Sequence, residues 1–450
     1  MRELALVLGL VSLTGCTLAP RYERPAAPIA NQFADPSGSL SAADQGWRAV
    51  FGDPRLQALI ELALRNNRDL RIAALNVELT RAQYRIERSA LFPQAGAAAG
   101  ADFSNADPST RYRVGASASW ELDLFGRVRS LKDAALEEYL ASEATHRAAH
   151  LSLVGEVVAQ YLRERAYDEQ YALAEGTLEA VRESYDMTRR LLDAGQRSEL
   201  DVSAAEAQVH GARAEMARLK RLRAQAENAL AVLVGQPLPE NLPAAQPLES
   251  QAVIADLTAG VPSEVLLRRP DVIAAEHVLR AANANIGAAR AAFFPTISLT
   301  GFAGLASTAL SALFTGGAAL WSFSPQISVP LFTGGRNAAN LDAAQVRKRI
   351  EIARYERAIQ IAFREVADAL AARSAYDDQL EAQTARVAAE QRRYDISDQR
   401  YRAGIESYLS VLDAQRDLYV AQNQLIEVRL GRLTNLADLY RALGGGWRER

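Results

Sequence analysis

Two stretches of the chain alternate strictly between apolar and polar positions. In the first, Tyr112, Val114, Ala116, Ala118, Trp120, Leu122 and Leu124 alternate with Arg113, Gly115, Ser117, Ser119, Glu121 and Asp123. In the second, Trp321, Phe323, Ile327, Val329 and Leu331 alternate with Ser322, Ser324, Gln326 and Ser328. Side chains point to opposite faces along a strand, so each stretch predicts a strand with one apolar and one polar face. Weaker partner strands precede them, at Gln94–Phe103 and Thr296–Gly304. The turns between partners, "SNADPST" and "ASTALSALFTGG", are polar or small.

After each strand pair the period changes. From Arg127 to about Asp193 there is no Pro, and Gly155 and Gly176 are the only glycines. Leu151, Val154, Val158 and Tyr161 recur at helical spacing. One continuous helix here would have about 67 residues and be about 100 Å long. The run from Asn337 to Arg402 contains neither Gly nor Pro and predicts a second such rod. Globular helices average about 11–12 residues. Rods of this length cannot fold into a compact core and need lateral neighbours.

The chain repeats itself. "SALFPQ" (Ser89–Gln94) corresponds to "AAFFPT" (Ala291–Thr296), and "DLFGR" (Asp123–Arg127) to "PLFTGGR" (Pro330–Arg336). "LLDAGQRSELDVSAAEAQ" (Leu191–Gln208) corresponds to "YRAGIESYLSVLDAQRDL" (Tyr401–Leu418). There Gly195 meets Gly404, Ser198 meets Ser407 and Val202 meets Val411. The landmarks keep their order, which predicts an internal duplication. The first repeat spans 53–235: a helix, strands within about 94–125, a long helix at about 127–193 and a helix at about 198–234. The second spans 262–443: a helix, strands within about 295–332, a long helix at about 337–402 and a helix at about 407–443. A Pro-rich linker covers 236–261, and 444–450 is a tail.

Charge is nearly balanced, 51 Lys+Arg against 54 Asp+Glu in 450 residues. This leaves no basic footprint for nucleic acid and no acidic tail. The N-terminus sets the compartment. Leu4–Gly15 is an apolar stretch of signal-peptide length, too short to span a bilayer as a helix. It follows Arg2, with Glu3 an unusual neighbour, and ends in "LTGC", Leu13–Cys16, which resembles a bacterial lipobox. Residues 1–15 are read as the signal peptide. Cys16 is read as the lipidated first residue of an extended segment, 16–52, that opens "TLAPRYERPAAPIANQF". Cys16 is the only cysteine, so an intrachain disulfide and a Cys-cluster metal site are excluded. Thr17, where an Asp would resemble an inner-membrane retention signal, favours the outer membrane. No later segment offers 18 consecutive apolar residues, so any further crossing is made by strands.

Strands sit in lipid only as a closed barrel, because open edges leave backbone groups unpaired. Four strands do not close. Two chains give eight, a barrel filled by side chains. Three give twelve, the smallest assembly that closes and conducts. The expected fold is therefore an α+β membrane protein: a homotrimer whose strands form a 12-stranded transmembrane β-barrel and whose long helices form a hollow α-helical barrel.

The "LFP" landmarks, the strand pairs, the long helices and "YRAGIESYLSVLDAQ" together resemble the TolC-like outer membrane efflux family. The lipobox and "TLAPRYERPAAP" resemble its lipoprotein branch, the NodT type. The likeness runs from Cys16 to about Leu443. It implies a trimeric channel-tunnel in the Gram-negative outer membrane, extending into the periplasm. Such a duct serves an inner-membrane pump, an RND-type one here, through a periplasmic adaptor, and needs no cofactor. It also implies that the second hairpin lines a closed periplasmic gate. The matching residues are Arg400, Tyr401, Leu409 and Asp413, with Asp201 at the equivalent tip of the first repeat. An Asp–Tyr hydrogen bond or Asp–Arg pair would tie hairpins together, and Leu409 would form an apolar constriction. The tips Gly195, Gln196, Arg197 and Ser198, and Gly404, Ile405, Glu406 and Ser407, would meet the adaptor.

Rival readings have less support. His146 and His150 share a helix face, but Arg147 and Ala148 follow where a "HExxH" site needs its Glu. There is no P-loop, "GxSxG" or dinucleotide fingerprint, and "FTGGRN" (Phe332–Asn337) reads as a strand-to-helix bend. A lipid-anchored periplasmic scaffold or adaptor would also use helical hairpins. It would have no need of four strands with an apolar band.

Overall fold

The computed structural model describes residues 17–33, 40–41, 45–103, 111–253, 257–258 and 268–445. Cys16 and residues 1–15, read above as a signal peptide, lie outside the described residues, as do 446–450. The chain falls into two compact units, one drawn from 1–27, 73–145 and 271–358, the other from 28–72, 146–270 and 359–450. Seven helices carry the labels used below: α1 (Pro54–Asn66), α2 (Arg68–Ser89), α3 (Arg127–Asp193), α4 (Glu199–Val234), α5 (Pro270–Ala291), α6 (Arg336–Arg402) and α7 (Tyr408–Ala442). Both α3 and α6 run unbroken for 67 residues. Among the described residues, no helix is long and apolar enough to cross a membrane.

The first unit holds the sheet: β1 (Gln94–Asp102), β2 (Arg111–Leu122), β3 (Thr296–Ser307) and β4 (Ala319–Ser328). The order is β1-β2-β3-β4 and every neighbour is antiparallel. Residues paired across an antiparallel ladder share a face, so the register sorts the side chains. Val114 pairs with Leu305, Trp120 with Leu299, Leu122 with Ile297, Ile297 with Ile327 and Ala303 with Trp321. On the other face Ser119 pairs with Thr300, which pairs with Ser324, and Glu121 pairs with Ser298, which pairs with Gln326. Among the described residues nothing covers the apolar face: Trp321 is 77% exposed, Ile327 65% and Phe323 59%. Strands of 9 to 12 residues suit a hydrocarbon core, which takes about 9–11 tilted strand residues.

Each strand pair turns into its long helix at a bend. Gly126 takes φ 73°. Asp123 then caps α3, accepting from the backbone N–H of Val128 (3.0 Å) and Arg129 (2.9 Å). Gly334 and Gly335 take φ 58° and 83° at the bend into α6. Phe125 and Phe294, landmark residues of the two repeats, stack with centroids 4.7 Å apart.

The same unit holds a strap. The extended segment from Thr17 lies on α5, with Glu276 as its anchor. Glu276 accepts from Arg24 (3.1 and 2.9 Å), Tyr22 (3.3 Å) and Arg280 (2.7 Å). Asn283 and Arg290 donate to the carbonyls of Pro20 (2.8 Å) and Leu18 (3.1 Å). Gly287 makes room for the strap: a Cβ there would stand 2.7 Å from the nitrogen of Ala19.

The second unit has its core where α1, α3, α4, α6 and α7 meet. Phe51, Leu59, Ile60, Val157, Val158, Tyr161, Leu162, Val366 and Leu439 are fully or almost fully buried in it. The stripe Leu151, Val154, Val158 and Tyr161 is buried throughout. Asp53 caps α1 through the N–H groups of Arg55 and Leu56, and also accepts from Tyr161 (2.6 Å) and Gln251 (2.9 Å). The single opening helix expected for the first repeat is divided at Asn67. Its amide donates to the Leu233 carbonyl (2.9 Å) while its oxygen accepts from Leu70 N–H (2.9 Å), so one side chain ends α1, starts α2 and holds α4.

The strap should be pH-sensitive. Burial would raise the Glu276 carboxyl, but hydrogen bonds from Arg280 and Arg24 outweigh it and hold the carboxyl below its usual range. A depressed carboxylate stabilises above its unfolded pKa of about 4.3 and loses that contribution as pH falls through the folded value. Docking is expected to hold at neutral pH and to loosen below about pH 4. Proteolysis should then cut within Thr17–Phe33 by pepsin in acid, and by trypsin at neutral pH only in Glu276→Gln. Equal resistance of that variant at neutral pH would show that Glu276 is not the anchor.

Candidate functional site: two helical hairpins

The second unit contains both turns that the duplication marks. Each long helix ends the same way. Gly195 takes φ 71° and Gly404 φ 75°. Gln196 N–H donates to Leu191 O (2.8 Å) and Gly195 N–H to Leu192 O (2.8 Å). Ile405 N–H donates to Arg400 O (2.9 Å) and Gly404 N–H to Tyr401 O (2.9 Å). These bonds satisfy carbonyls that a helix end leaves open, and a left-handed glycine permits them.

The restarts differ. Ser198 and Asp201 form a capping box: Ser198 Oγ accepts from Asp201 N–H (3.2 Å), and the Asp201 carboxylate accepts from Ser198 N–H (3.2 Å) and Oγ–H (2.9 Å). Ser407 makes no side-chain cap to α7; its hydroxyl lies 3.3 Å from that of Ser410.

The candidate gate residues are held locally. Asp201 is engaged by Ser198, and the Tyr401 hydroxyl is buried with no hydrogen-bond partner among the described residues. The chain therefore does not make the expected Asp–Tyr bond between those two. Arg400 pairs with Glu406 (3.0 Å) and Asp413 with Arg416 (3.4 Å), so Arg400 and Asp413 are not joined to each other within the chain. Exposed pairs of this kind contribute about 0–1 kcal/mol. Leu409 is 66% exposed and Leu200 77%. Of the tip residues, Gly195, Gln196, Ser198, Gly404, Ile405 and Ser407 are exposed, while Arg197 and Glu406 are half-buried.

Between the hairpins lies a small core that the pattern of the sequence did not announce. Tyr401 and Tyr408 are buried with rings 5.3 Å apart, among Ala205 and Val411, and Tyr185, Met187, Tyr394 and Leu412 pack against them. Ser184 Oγ–H donates to the Tyr408 hydroxyl (2.9 Å), joining α3 to α7. The Arg197 guanidinium covers the Tyr401 ring at 4.6 Å, a cation–π contact worth about 0.5–2 kcal/mol. The available signal was the heptad spacing of Tyr394, Tyr401 and Tyr408, but nothing in it points to Arg197 as the partner.

The family model described as "Outer membrane efflux protein" matches residues 59–236 and 261–445. The chain belongs to the outer membrane efflux protein family. The two matched segments fall on the two repeats. The chain is 47% identical to the toluene efflux pump outer membrane protein TtgC of Pseudomonas putida, over 99% of this chain and 96% of that one. It is 42% identical to the cation efflux system protein CusC of Escherichia coli, over 98% and 97%. The open-state structure of the Neisseria gonorrhoeae MtrE outer membrane channel superposes with a TM-score of 0.90 at 45% identity, covering 96% of this chain and 99% of that one. The chain is thus an outer membrane efflux protein that serves as an exit duct, with the sheet and long helices of that family.

The two restarts give a test. Losing an N-cap hydroxyl costs about 1 kcal/mol. Ser198→Ala should speed amide exchange in the first turn of α4 about fivefold, and Ser407→Ala should leave α7 almost unchanged. Equal effects, read by hydrogen exchange and mass spectrometry, would contradict the asymmetry.

Proposed function

We propose that three copies of the chain close one barrel and form the outer membrane duct of a tripartite efflux system. The observation that carries this is the open four-stranded sheet, which among the described residues has an uncovered apolar face and two unpaired edges. An apolar stripe on α2 adds support: Ile72 (55%), Leu75 (51%), Leu79 (55%) and Ile86 (66%) are exposed on one helix face and await a neighbour. An inner-membrane pump of the RND type would feed the duct through a periplasmic adaptor. The tips Gly195–Ser198 and Gly404–Ser407 are the proposed adaptor contacts, and acyl chains on Cys16 the proposed anchor.

The proposed gate comprises Asp201, Arg400, Tyr401, Leu409 and Asp413 at the periplasmic end. Leu409 is exposed at a tip and available to narrow a lumen. Arg400 and Asp413 sit in weak local pairs, so exchanging those partners for a neighbouring chain's costs little. The relatives carry printed names for toluene and for cation efflux at 47% and 42% identity. One duct scaffold thus accompanies unlike cargoes, which supports a reading in which the pump selects the cargo.

Single-channel conductance in planar bilayers tests this reading. The wild-type trimer should conduct little, and Arg400→Ala with Asp413→Ala should conduct several-fold more. No conductance from either confirmed trimer would favour a scaffold; equal, large conductance would leave the duct and remove the gate.

A further inference from the structure

We propose that the second unit carries a binding site for the C-terminal end of a peptide, in a pocket between the linker, α6 and α7. The cavity measures about 190 Å³, below the roughly 300–1,000 Å³ of sites for drug-sized molecules. It suits one terminal residue. Its linker wall is fixed in place. Leu248 opens a 3₁₀ turn (Leu248–Ser250) and is buried, and its N–H donates to the Glu169 carboxylate (2.6 Å). Gln251 follows, 9% exposed. Its amide nitrogen donates to Asp53 (2.9 Å) and to the Gln246 carbonyl (3.0 Å). Its Oε1 is buried and has no hydrogen-bond partner among the described residues. Buried acceptors are ordinarily satisfied, so Gln251 offers this one to an N–H or O–H of whatever fills the pocket.

The helix wall supplies two cations. Arg429 and Arg432 stand three positions apart on α7 and so share a face. Arg429 pairs with Glu249 (3.1 Å) and Arg432 with Asp377 (2.7 Å), and each pair engages one nitrogen of its guanidinium. The side chains of Glu249 and Asp377 are 73% and 53% exposed, so these pairs exchange at little cost. The remaining N–H groups can take a carboxylate in the planar fork that guanidinium favours. Leu248, Leu380 and Leu433 give the pocket an apolar wall. Two cations, an open acceptor and an apolar wall thus meet in a small space. The last residue of a peptide carries all three complements: a carboxylate, an amide N–H and an apolar side chain. A simple anion answers only the arginines, and a neutral sugar only Gln251. Bound there, the residue would tie the linker to α6 and α7.

Calorimetric titration of the purified trimer with N-acetyl-L-leucine tests the site. Each chain should take one molecule. N-acetyl-L-leucinamide lacks the carboxylate and should bind about ten- to a hundredfold more weakly. The same loss is expected for N-acetyl-L-leucine on the Arg429→Ala, Arg432→Ala chain, confirmed as a trimer. N-acetyl-N-methyl-L-leucine lacks the N–H and should bind about tenfold more weakly. That probe examines Gln251 without disturbing its bonds to Asp53 and Gln246. No binding of the first probe, or equal binding of its amide, would overturn the site. Equal binding of the N-methyl probe would release Gln251 and with it the peptide assignment. Inorganic phosphate that competes as well as N-acetyl-L-leucine would reduce the pocket to a general anion site and overturn the proposal as well. A folded carrier protein ending in leucine separates the two sources of such a residue. Binding equal to the free probe would assign the site to a protein's C-terminus, and binding of the free probe alone would assign it to short free peptides.

Discussion

In the hydrocarbon of a bilayer every backbone N–H and C=O must find its partner inside the protein, since each one left open costs several kcal/mol. The sheet meets this condition at its three inner seams and fails it at the outer edges of β1 and β4. Its apolar face asks for lipid, and its edges forbid lipid to a lone chain. Repeating the chain around an axis removes the conflict, because β4 of one copy then completes β1 of the next. The long helices follow from the same solution. A 67-residue helix buries little by itself, but copies placed around an axis supply lateral neighbours to α3, α6 and the bare stripe on α2.

Duplication makes that arrangement economical. Each repeat contributes two strands and one helical hairpin, and the Phe125–Phe294 stack joins the repeats where strands become helices. The repeats have nevertheless diverged at their turns. Both keep the left-handed glycine, because the bonds that close the helix end need it. Only the first keeps a capping box. The Asp201 carboxylate is spent on Ser198, whereas Ser407 lies against Ser410 and its side chain does not cap α7. One turn is fastened by its own side chains, and the other depends more on its surroundings.

What the sequence disclosed follows the range of the interactions concerned. Period two over Tyr112–Leu122 and the absence of Pro from Arg127–Asp193 are local properties, and both elements were legible from them. The bend at "FTGGRN" was legible because consecutive glycines announce positive φ. Asn67 was not, because its amide serves a carbonyl 166 residues away and no propensity records that. The docking of the strap was hidden for the same reason: Gly287 looks like a weak point in a helix until Ala19 is seen lying on it. At the tips, Gly195 and Gly404 were legible as matched landmarks of the two repeats, and Leu409 was reached only through the family resemblance. The pairing of Arg197 with Tyr401 spans 204 positions and links the repeats to each other, so comparing each repeat with its own copy could not reveal it.

Packing in the second unit is uneven, and the unevenness bears on movement. One large core gathers five helices around Asp53, Tyr161 and Leu439, with the buried carboxylate satisfied from three sides. Towards the turns the core thins to two small clusters, one around Leu178, Val181 and Val209 and one around Tyr401 and Tyr408. Local opening free energy follows buried apolar contact, so motion concentrates where such contact is sparse. A gate built at the large core would have to break a close-packed interior each time it opened. At the turns the proposed gate would rearrange mainly the Arg400–Glu406 and Asp413–Arg416 pairs, worth about 0–1 kcal/mol each. The Tyr401–Tyr408 cluster is small beside the five-helix core, so the turn ends are the less firmly packed part of the unit.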